Sequence, residues 1–456
     1  MEGYPKWGRV PKAKQQALPF EAKDRCGGIR KWSRHPAWTP AMRAALSRIR
    51  KGSGKWHTLI GRMYDPRLIE AAWQRLDRRT SGPKRCRGAG VDGVTVEQFS
   101  RRAEGEIPRL AEELRSGSYR PRPVRRHEIP KPGSRKKRPL GIPCVRDKVA
   151  QEALRSLIEP VFEAEFLEGS HGFRPERSTE TACRHLEAYL EAGFHWVVDA
   201  DVRNCFGEID HAKQLESVNA RIADGKVLKL IRSFLKSGVM EEMVYRETVS
   251  GTPQGGVISP LLCNIFLHQL DLRCEEKGLG WVRYADDFLL LCRTREEAEA
   301  ALQWVTGVLT EMGLSLSPEK TCVTCLQDGF DFLGWHYKGD QRWPRTKSEK
   351  ALRIRLREKT RRLRPGSMEQ ICAEVSLTLR GWYTHFRDGN SLSTFSKSEK
   401  WLRRRLRAIL HRRRKRKGMG SLGLNFRWPN ARFRSWGLFE PSVELRRYRQ
   451  RCAQSL

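Results

Sequence analysis

Two short apolar segments that end in acidic residues constrain the fold of this chain more than any other feature of its sequence. The first is His195–Val202, which carries acids at its end, and the second, residues 281–292, holds Asp286 and Asp287 between apolar flanks. Short apolar runs bounded by polar residues predict buried strands, and carboxylates buried without partners are unfavourable. We therefore predict a strand that ends at Asp201 and a hairpin whose tip presents its two aspartates to a divalent cation. Taken alone, such a pair would more often be a solvated Asp-Asp turn.

A strand-borne aspartate together with an Asp-Asp hairpin supplies the ligands that a two-metal phosphoryl-transfer site requires. Two hard cations roughly 3.5–4 Å apart are held by carboxylates from adjacent strands. Mg²⁺ accepts few protein ligands, which leaves room for substrate phosphates. Asp201, Asp286 and Asp287 are therefore candidate ligands of such a site.

Helical and extended patterns are mixed along the chain, and the extended segments lie far apart in sequence. Prolines and glycines exclude a helix between Arg120 and Pro143 and suit a hairpin or edge strands there. Helical spacing of apolar residues predicts helices over 146–157, 351–363 and 370–383. This mixture predicts an α+β fold.

The charge of the chain is strongly positive and unevenly distributed. The sequence has 88 Lys and Arg against 53 Asp and Glu, a formal net charge of +35. Residues 341–456 hold 32 of the basic and 8 of the acidic residues. So large a charge disfavours a compact fold unless a polyanion offsets it, which predicts a nucleic-acid partner. The alternatives are a soluble protein with a basic surface and a ribosome-associated protein.

The cysteines and the hydropathy pattern predict a compartment. Twelve cysteines are scattered without a framework spacing, no run of eighteen apolar residues occurs, and the N-terminus lacks the apolar stretch of a secretory signal. We therefore expect reduced thiols, no membrane association and a cytoplasmic protein.

The order of three segments resembles the palm motifs of reverse transcriptases. These are Asp201, Pro-Gln-Gly-Gly at 253–256 and Tyr-Ala-Asp-Asp at 284–287. Ser-Pro-Glu-Lys-Thr at 317–321 and Phe-Leu-Gly-Trp at 332–335 resemble the next two motifs of that family.

Segments further upstream resemble the group II intron branch of that family. Residues 129–133, 138–143 and 172–175 are similar to its fingers, and 90–94 to its N-terminal extension. With no histidine after His411 and only Cys452 beyond Cys372, we expect no HNH-type endonuclease. From about residue 60 to the C-terminus, the chain thus resembles a bacterial group II intron-encoded reverse transcriptase and maturase of the type that lacks this endonuclease.

The resemblance implies a right-hand polymerase of fingers, palm and thumb, with a helical thumb or maturase domain and a small basic C-terminal domain. The implied limits are a basic, loosely ordered arm at 1–55, an N-terminal extension at 56–120, fingers and palm at 121–340, a thumb or maturase domain X at 341–410 and a basic DNA-binding domain at 411–456.

The resemblance also implies catalytic and metal-binding roles. Asp201, Asp286 and Asp287 would hold two Mg²⁺ ions together with the carbonyl of Val202. Lys320 would approach the triphosphate as a proton donor. No metal ligand is missing, although Asn204-Cys205 before Phe206, Gly207-Glu208 after it and His171 depart from the usual residues.

Nucleotide contacts follow from the same resemblance. Phe206 would be the steric gate against a ribose 2′-hydroxyl, or alternatively a plain core aromatic. Lys131 and Arg138 would clamp the triphosphate, unless they form a solvated basic hairpin. Gln254 would contact the incoming nucleotide or template, and Tyr284 would support the primer end or have a packing role.

The C-terminal part resembles the maturase domain through Gly-Trp-Tyr-Thr-His-Phe at 381–386. A basic run would bind nucleic-acid phosphates, or be a solvated helix end; it comprises Arg412, Arg413, Arg414, Lys415, Arg416 and Lys417. Trp428 and Trp436 would stack on unpaired bases, or form a small core. The implied partners are group II intron RNA in a ribonucleoprotein, an RNA template with a DNA primer, target DNA and dNTPs. The implied location is the bacterial cytoplasm, in association with the nucleoid.

Three functions are compatible with these residues. The first is a reverse transcriptase and maturase that works with its own intron RNA in splicing and retrohoming. The second is a splicing maturase without polymerase activity, which the intact Asp201, Asp286, Asp287 and Gln254 disfavour. The third is a host-adopted enzyme in DNA repair or phage defence.

Overall fold

The computed structural model of the chain describes residues 54–80, 82, 85–86, 88–130, 137–241, 244–246, 255–414 and 423–454. These residues pack into two compact units, of which the first ends at Val323 and the second begins at Thr324. The predicted N-terminal arm, residues 1–55, lies outside the described residues except for its last two. The predicted domain limits at residues 120, 340 and 410 stay predictions.

The first unit alternates helices and strands. Its described helices are α1 (Ile60–Met63), α2 (Pro66–Arg79), α3 (Val96–Ser100), α4 (Ala103–Ser116), α5 (Val145–Glu163), α6 (Thr179–Glu191), α7 (Cys205–Glu208), α8 (His211–Asn219), α9 (Gly225–Leu235), α10 (Ser259–Lys277) and α11 (Arg295–Met312). Its described strands are β1 (Val124–Pro130), β2 (Lys137–Ile142), β3 (Trp196–Asp201), β4 (Val239–Glu241), β5 (Val244–Arg246), β6 (Gly280–Tyr284), β7 (Asp287–Cys292) and β8 (Cys322–Cys325), which crosses into the second unit.

Local sequence determines where several helices begin. Thr95, Ser178 and Thr294 each cap a helix in a reciprocal capping box, in which the cap side chain and the side chain three residues later satisfy each other's backbone N–H groups. The predicted helix over 146–157 is confirmed as part of α5. It extends further than predicted because its last turns, through Phe162, are also buried.

A layer of helices that includes α2, α4, α5 and α9 shares one hydrophobic core. Asp224 joins two distant parts of this layer. Its Oδ2 accepts hydrogen bonds from the backbone N–H groups of Leu59 and Ile60, each 2.8 Å long, while its Oδ1 caps the first turn of α9. A single buried carboxylate thus holds the start of α1 against the start of α9.

The predicted hairpin between Arg120 and Pro143 is confirmed, because β1 and β2 pair antiparallel. Their sheet has the strand order β2-β1-β4-β5, in which β1 and β4 run parallel.

A second sheet in this unit has the strand order β6-β7-β3-β8. The predicted strand that ends at Asp201 and the predicted strand–turn–strand at 281–292 are both confirmed. Residues of β3 and β7 pack against α10 and α11 in a hydrophobic core that includes Val198, Leu290 and Phe266. This core supports the sheet from one side and leaves the end that carries the aspartates outside it.

The second unit has a small sheet and a helical body. The sheet order is β11-β10-β9, formed by β9 (Phe330–Phe332), β10 (Trp335–Lys338) and β11 (Gln341–Pro344). The described helices are α12 (Thr346–Lys359), α13 (Met368–Phe386), α14 (Leu392–Arg413), α15 (Gly423–Arg427), α16 (Asn430–Ser435) and α17 (Pro441–Gln454). The helices predicted at 351–363 and 370–383 are confirmed by α12 and α13, but their limits differ: α12 begins five residues and ends four residues earlier than predicted, and α13 extends two residues further at its start and three at its end.

The tryptophans near the C-terminus belong to the core of the second unit. Trp428 is buried beside the fully buried Phe433, and Trp436 packs against the same cluster. The small-core alternative is therefore correct for them, whereas Phe426 is 90% exposed.

The α+β class is confirmed by this mixture of helices and sheets. In the part of the chain that the structure describes, no helix is both long and apolar enough to span a bilayer.

Candidate active site

The strand register brings two of the predicted aspartates together. Asp201, the last residue of β3, lies directly opposite Asp287, the first residue of β7. Tyr284 is the partner of Asp287 across the aspartate hairpin, which we define as β6, its turn and β7. Directly opposed residues of an antiparallel pair have Cα atoms roughly 4.5–5.5 Å apart and side chains on one face. Asp201 and Asp287 therefore project together at the end of the sheet, with Asp286 in the turn beside them.

Lys320 contacts this group through Asp201. Its Nζ donates hydrogen bonds to both carboxylate oxygens of Asp201, at 2.8 and 2.7 Å. The Lys320 side chain is 63% exposed, so solvent screens the ion pair and it adds little to stability. The structure thus places an ammonium group beside Asp201.

Val202 follows β3 and pairs with Leu316 in an isolated antiparallel bridge. The backbone N–H of Ser317 donates to the carbonyl of Asp201 at 2.8 Å. Carbonyls of successive residues in a strand alternate between its two edges. The Val202 carbonyl therefore points to the opposite edge of the strand, the side of β7 and Asp287.

The donor chemistry of this group fits a hard cation such as Mg²⁺, which takes oxygen ligands and is commonly held by one or two protein carboxylates. Among the residues that the structure describes, no three His, Cys, Asp or Glu side chains converge closely enough to form a preassembled metal site. The structure brings Asp201 and Asp287 together by register, but it does not gather all three carboxylates into one cluster.

The turn of the aspartate hairpin is tight and is packed against another segment. Ala285 has a φ of +59°, a left-handed conformation that costs a non-glycine residue on the order of 1 kcal/mol. Gly172 lies so close that a Cβ added to it would stand 2.3 Å from the backbone N of Ala285. The sequence analysis found Gly172 only as part of a family motif and did not predict this contact.

Arg283 is a second residue that sequence reasoning missed. It is 1% exposed and hydrogen-bonds to Asp271, Asn264 and Ser170 and to the carbonyl of Ala285. An arginine within a strand that is otherwise buried is the signal that could have revealed it, because a buried guanidinium needs partners.

Phe206 lies in α7, one turn beyond Asp201 in the chain. Its ring is half-buried and packs against the core beneath the sheet. Asn204 precedes it in a left-handed conformation, with a φ of +40°. The position leaves one part of the ring in the core and another part accessible.

Several predicted residues lie outside what the structure describes. Lys131, Gln254 and Lys415, Arg416 and Lys417 are outside the described residues. For Arg138 the structure describes the backbone, which pairs with Ile129 in the β1–β2 hairpin. Gly255, the neighbour of Gln254, has a φ of +116°, and an added Cβ would meet the Gly141 carbonyl at 2.4 Å, so Gly255 itself lies close to β2.

The described part of the basic run ends α14. Arg412, Arg413 and Arg414 are all exposed. Arg413 donates to the carbonyl of Gly366 at 2.6 Å, and the Arg414 guanidinium lies 5.5 Å from the Trp428 ring centroid. Two of these three arginines therefore also stabilise the second unit, and Arg412 is the most available for a ligand.

A buried histidine pair lies beside the Gly172 segment. The Nε2 of His171 is 3.1 Å from the Nδ1 of His185, and its Nδ1 is 3.0 Å from the Thr181 hydroxyl. Burial, and then the neighbouring His185, lowers the pKa of His171 to about 2. Burial, and then the charge of Arg177, lowers the pKa of His185 to about 4. Both rings are therefore neutral in the folded chain at neutral pH.

This pair predicts a loss of stability in mild acid. Above the ordinary histidine pKa of 6.5, neither ring is charged in the folded or unfolded chain, so their contribution to stability is fully present. As the pH falls below 6.5, only the unfolded chain takes up the protons, and between pH 7.5 and 5.5 each histidine costs about 1.4 kcal/mol of unfolding free energy. His185→Phe, which keeps the stacking on Tyr189, is expected to reduce this pH dependence by about that amount.

Urea titrations of wild type and His185→Phe at pH 7.5 and 5.5 measure the effect as a difference between the two proteins, so other titrating groups cancel. An identical pH dependence in both proteins would contradict the assignment.

Two family models match the chain. Residues 129–337 match the reverse transcriptase (RNA-dependent DNA polymerase) family. Residues 349–428 match the maturase-specific domain of group II introns.

Curated proteins from two bacteria are similar to the chain. The group II intron-encoded protein LtrA of Lactococcus lactis subsp. cremoris is 32% identical over 365 residues, which are 64% of this chain and 59% of LtrA. Protein YkfC of Escherichia coli (strain K12) is 35% identical over 306 residues, which are 59% of this chain and 79% of YkfC. The chain thus spans about three fifths of the length of LtrA. Among solved structures, telomerase from Candida albicans is 12% identical with a TM-score of 0.40, covering 69% of this chain and 64% of that one.

Proposed function

This chain belongs to the family of group II intron-encoded reverse transcriptases, and from that premise we propose that it is an RNA-directed DNA polymerase that makes cDNA by two-metal nucleotidyl transfer. The observation that carries the proposal is the register of Asp201 opposite Asp287, which pairs two carboxylates at the end of a sheet within the segment 129–337. Paired carboxylates on adjacent strands are the ligand arrangement that two-metal phosphoryl transfer uses.

The aspartates and Lys320 would carry the chemistry. Asp201, Asp286, Asp287 and the Val202 carbonyl would hold two Mg²⁺ ions, which when bound activate the primer 3′-hydroxyl and balance the charge of the triphosphate and the leaving pyrophosphate. Lys320, whose Nζ is 2.7 Å from Asp201 Oδ2, would donate a proton to the leaving pyrophosphate.

Nucleotide selection would depend on residues around this centre. The half-buried ring of Phe206 would exclude a ribose 2′-hydroxyl, and the ratio of UTP to dTTP incorporation by Phe206→Val measures that role. Lys131 and Arg138 would bind the triphosphate, and Gln254 would contact the incoming nucleotide or the template. Tyr284, paired with Asp287, would support the primer end.

The second unit would bind RNA as a maturase. The match of residues 349–428 to the maturase-specific domain supports this role, and the exposed Arg412 at the end of α14, together with Lys415, Arg416 and Lys417, would contact phosphates. The proposed partners are group II intron RNA, an RNA template with a DNA primer, target DNA and dNTPs, in a cycle of splicing and retrohoming. A gene that lies outside any intron would favour a host-adopted enzyme in repair or phage defence instead.

Primer extension on a poly(rA) template with oligo(dT), dTTP and Mg²⁺ tests the polymerase. We expect the wild type to extend the primer and Asp286→Ala not to extend it. Asp340→Ala is a matched control, because it removes an exposed aspartate from a different hairpin, between β10 and β11.

The outcomes separate the proposed functions. Loss of extension in Asp286→Ala but not in Asp340→Ala supports the polymerase. No extension by the wild type over a range of salt and Mg²⁺ concentrations overturns it and leaves the splicing maturase as the better function.

A further inference from the structure

All five N–H donors of the Arg283 guanidinium have partners. Nε donates to Oδ1 of Asp271 at 2.7 Å, and one Nη2 hydrogen bonds to Oδ2 of the same carboxylate. The other Nη2 hydrogen bonds to the Ser170 hydroxyl at 2.8 Å. Nη1 donates to Oδ1 of Asn264 at 2.9 Å and to the carbonyl of Ala285 at 3.0 Å.

The partners of Arg283 come from three different parts of the first unit. Asp271 and Asn264 lie on α10, Ser170 lies in the segment 169–172, and Ala285 lies in the turn of the aspartate hairpin. Arg283 therefore joins the turn to a buried helix through fixed and directional bonds.

The backbone of segment 169–172 also hydrogen-bonds to residues of this network, namely Asn264 and Arg283. The Asn264 amide donates to the carbonyl of Gly172 at 2.7 Å, and the backbone of Gly172 packs on that of Ala285. The N–H of His171 donates to the carbonyl of Arg283, and the N–H of Arg283 donates to the carbonyl of Gly169, each at 2.8 Å. These contacts hold the turn through its backbone.

The bond to the Ala285 carbonyl has a specific consequence for Asp286. That carbonyl belongs to the peptide group whose nitrogen is the N of Asp286, and a peptide group is planar. Fixing the carbonyl therefore fixes the plane from which the Asp286 side chain departs. Ala285, in its left-handed conformation, would otherwise leave this peptide free to rotate toward more favourable backbone angles.

We propose that Arg283 is a positioning residue: its guanidinium, clamped by Asp271, fixes the peptide between Ala285 and Asp286 and so sets the direction in which the Asp286 carboxylate is presented. The role rests on the proposed function, because it acts on a carboxylate that we assign to catalysis. It differs from a purely stabilising ion pair, since the same guanidinium also carries a bond to the turn.

Two variants of the full chain distinguish positioning from stabilisation. Arg283→Met leaves the buried Asp271 carboxylate without the guanidinium and beside His268, whose Nδ1 lies 3.9 Å from Oδ2, so we expect it to be strongly destabilised. The double variant Arg283→Met with Asp271→Leu replaces the pair by apolar side chains, which folded proteins commonly accept. If Arg283 only stabilises the fold, the double variant should regain wild-type stability, amide exchange, Mn²⁺ affinity and primer extension. If Arg283 positions Asp286, the double variant should regain stability alone.

Three measurements are made on the folded double variant. We expect hydrogen exchange at the Asp286 and Asp287 amides to be at least about 10-fold faster, because the turn has lost a tether. The dissociation constant for Mn²⁺, followed by electron paramagnetic resonance, is expected to rise on the order of 10-fold. The kcat of primer extension is expected to fall on the order of 100-fold, with a smaller change in the KM for dTTP.

Arg155→Met is the matched control, because Arg155 also binds buried carboxylates, those of Glu152 and Glu159, but makes no bond to the aspartate hairpin. It is expected to lower stability without changing exchange at the hairpin amides. A folded double variant with wild-type exchange and Mn²⁺ affinity would overturn the positioning role. If the wild type does not extend primers, the proposed function fails, while the exchange and Mn²⁺ measurements still decide the role of Arg283.

Discussion

Replacing Asp201 by asparagine is expected to slow primer extension by about 1,000-fold or more, since a metal ligand contributes several kcal/mol of charge stabilisation and about 1.4 kcal/mol corresponds to a factor of ten. Asparagine keeps the size of the side chain and its position opposite Asp287. It removes the negative charge that would bind Mg²⁺ and that now holds the ammonium group of Lys320. The loss should therefore appear in kcat.

Stability should respond very differently to the same substitution. The ion pair with the exposed Lys320 contributes at most about 1 kcal/mol, and removing the Asp201 carboxylate relieves its repulsion with Asp287 on the paired strand. We therefore expect the free energy of unfolding to change by less than about 1 kcal/mol. Asp199→Asn is the matched control, since it makes the same substitution two residues earlier on β3, further from the hairpin tip. Comparable extension rates for Asp201→Asn and Asp199→Asn would contradict the assignment of Asp201.

Gly172→Ala is expected to damage both the fold and the activity. The new Cβ would lie 2.3 Å from the backbone N of Ala285 and 2.9 Å from the carbonyl carbon of Tyr284. Backbone atoms cannot turn aside as a side chain can, so the turn or the Gly172 segment must shift. Overpacking of this kind costs about 1–3 kcal/mol, and a displacement of about 1 Å at the aspartates would slow extension on the order of 100-fold.

Gly105→Ala provides a control of the opposite sign. Gly105 lies on an exposed face of α4, and a Cβ added there meets nothing within 4 Å. Alanine in a helix is favoured over glycine by about 0.5–1 kcal/mol, so this variant should be slightly more stable than the wild type. Thermal melting and primer extension of both variants measure the contrast. Wild-type melting and extension in Gly172→Ala would mean that the hairpin turn is not packed as described.

The strands and the residues at their ends could be predicted from sequence because both signals are local. A short apolar run predicts a strand wherever it lies in the chain, and an acidic residue at its end indicates where the buried part of the strand stops. These two signals together located Asp201, Asp286 and Asp287. The hairpin between Arg120 and Pro143 followed in the same way from its prolines and glycines. Helix ends were less accurate because burial, which depends on distant residues, extends α5 beyond the predicted Leu157.

The contacts between distant segments could not be predicted, because they depend on which elements meet. Nothing near Arg283 in the sequence indicates that its partners are Asp271, 12 residues away, and Ser170, 113 residues away. The register of β3 against β7 and the close approach of Gly172 to Ala285 are of the same kind. The aromatic residues near the C-terminus show the same limit of sequence-based prediction. Their composition was compatible with base stacking and with a hydrophobic core, and only the packing in the structure shows that Trp428 belongs to the core.

The ion pair between Lys320 and Asp201 joins residues that are 119 positions apart. This separation determines the order in which the contacts of Asp201 can form while the chain is being translated. A nascent chain that has already exposed Asp201 still lacks β7 and Lys320, and contacts between distant segments form slowly even in the finished chain. Asp201 acquires this cation only after the ribosome has released the chain beyond Lys320, later than the point at which it can pair with Asp287 on β7.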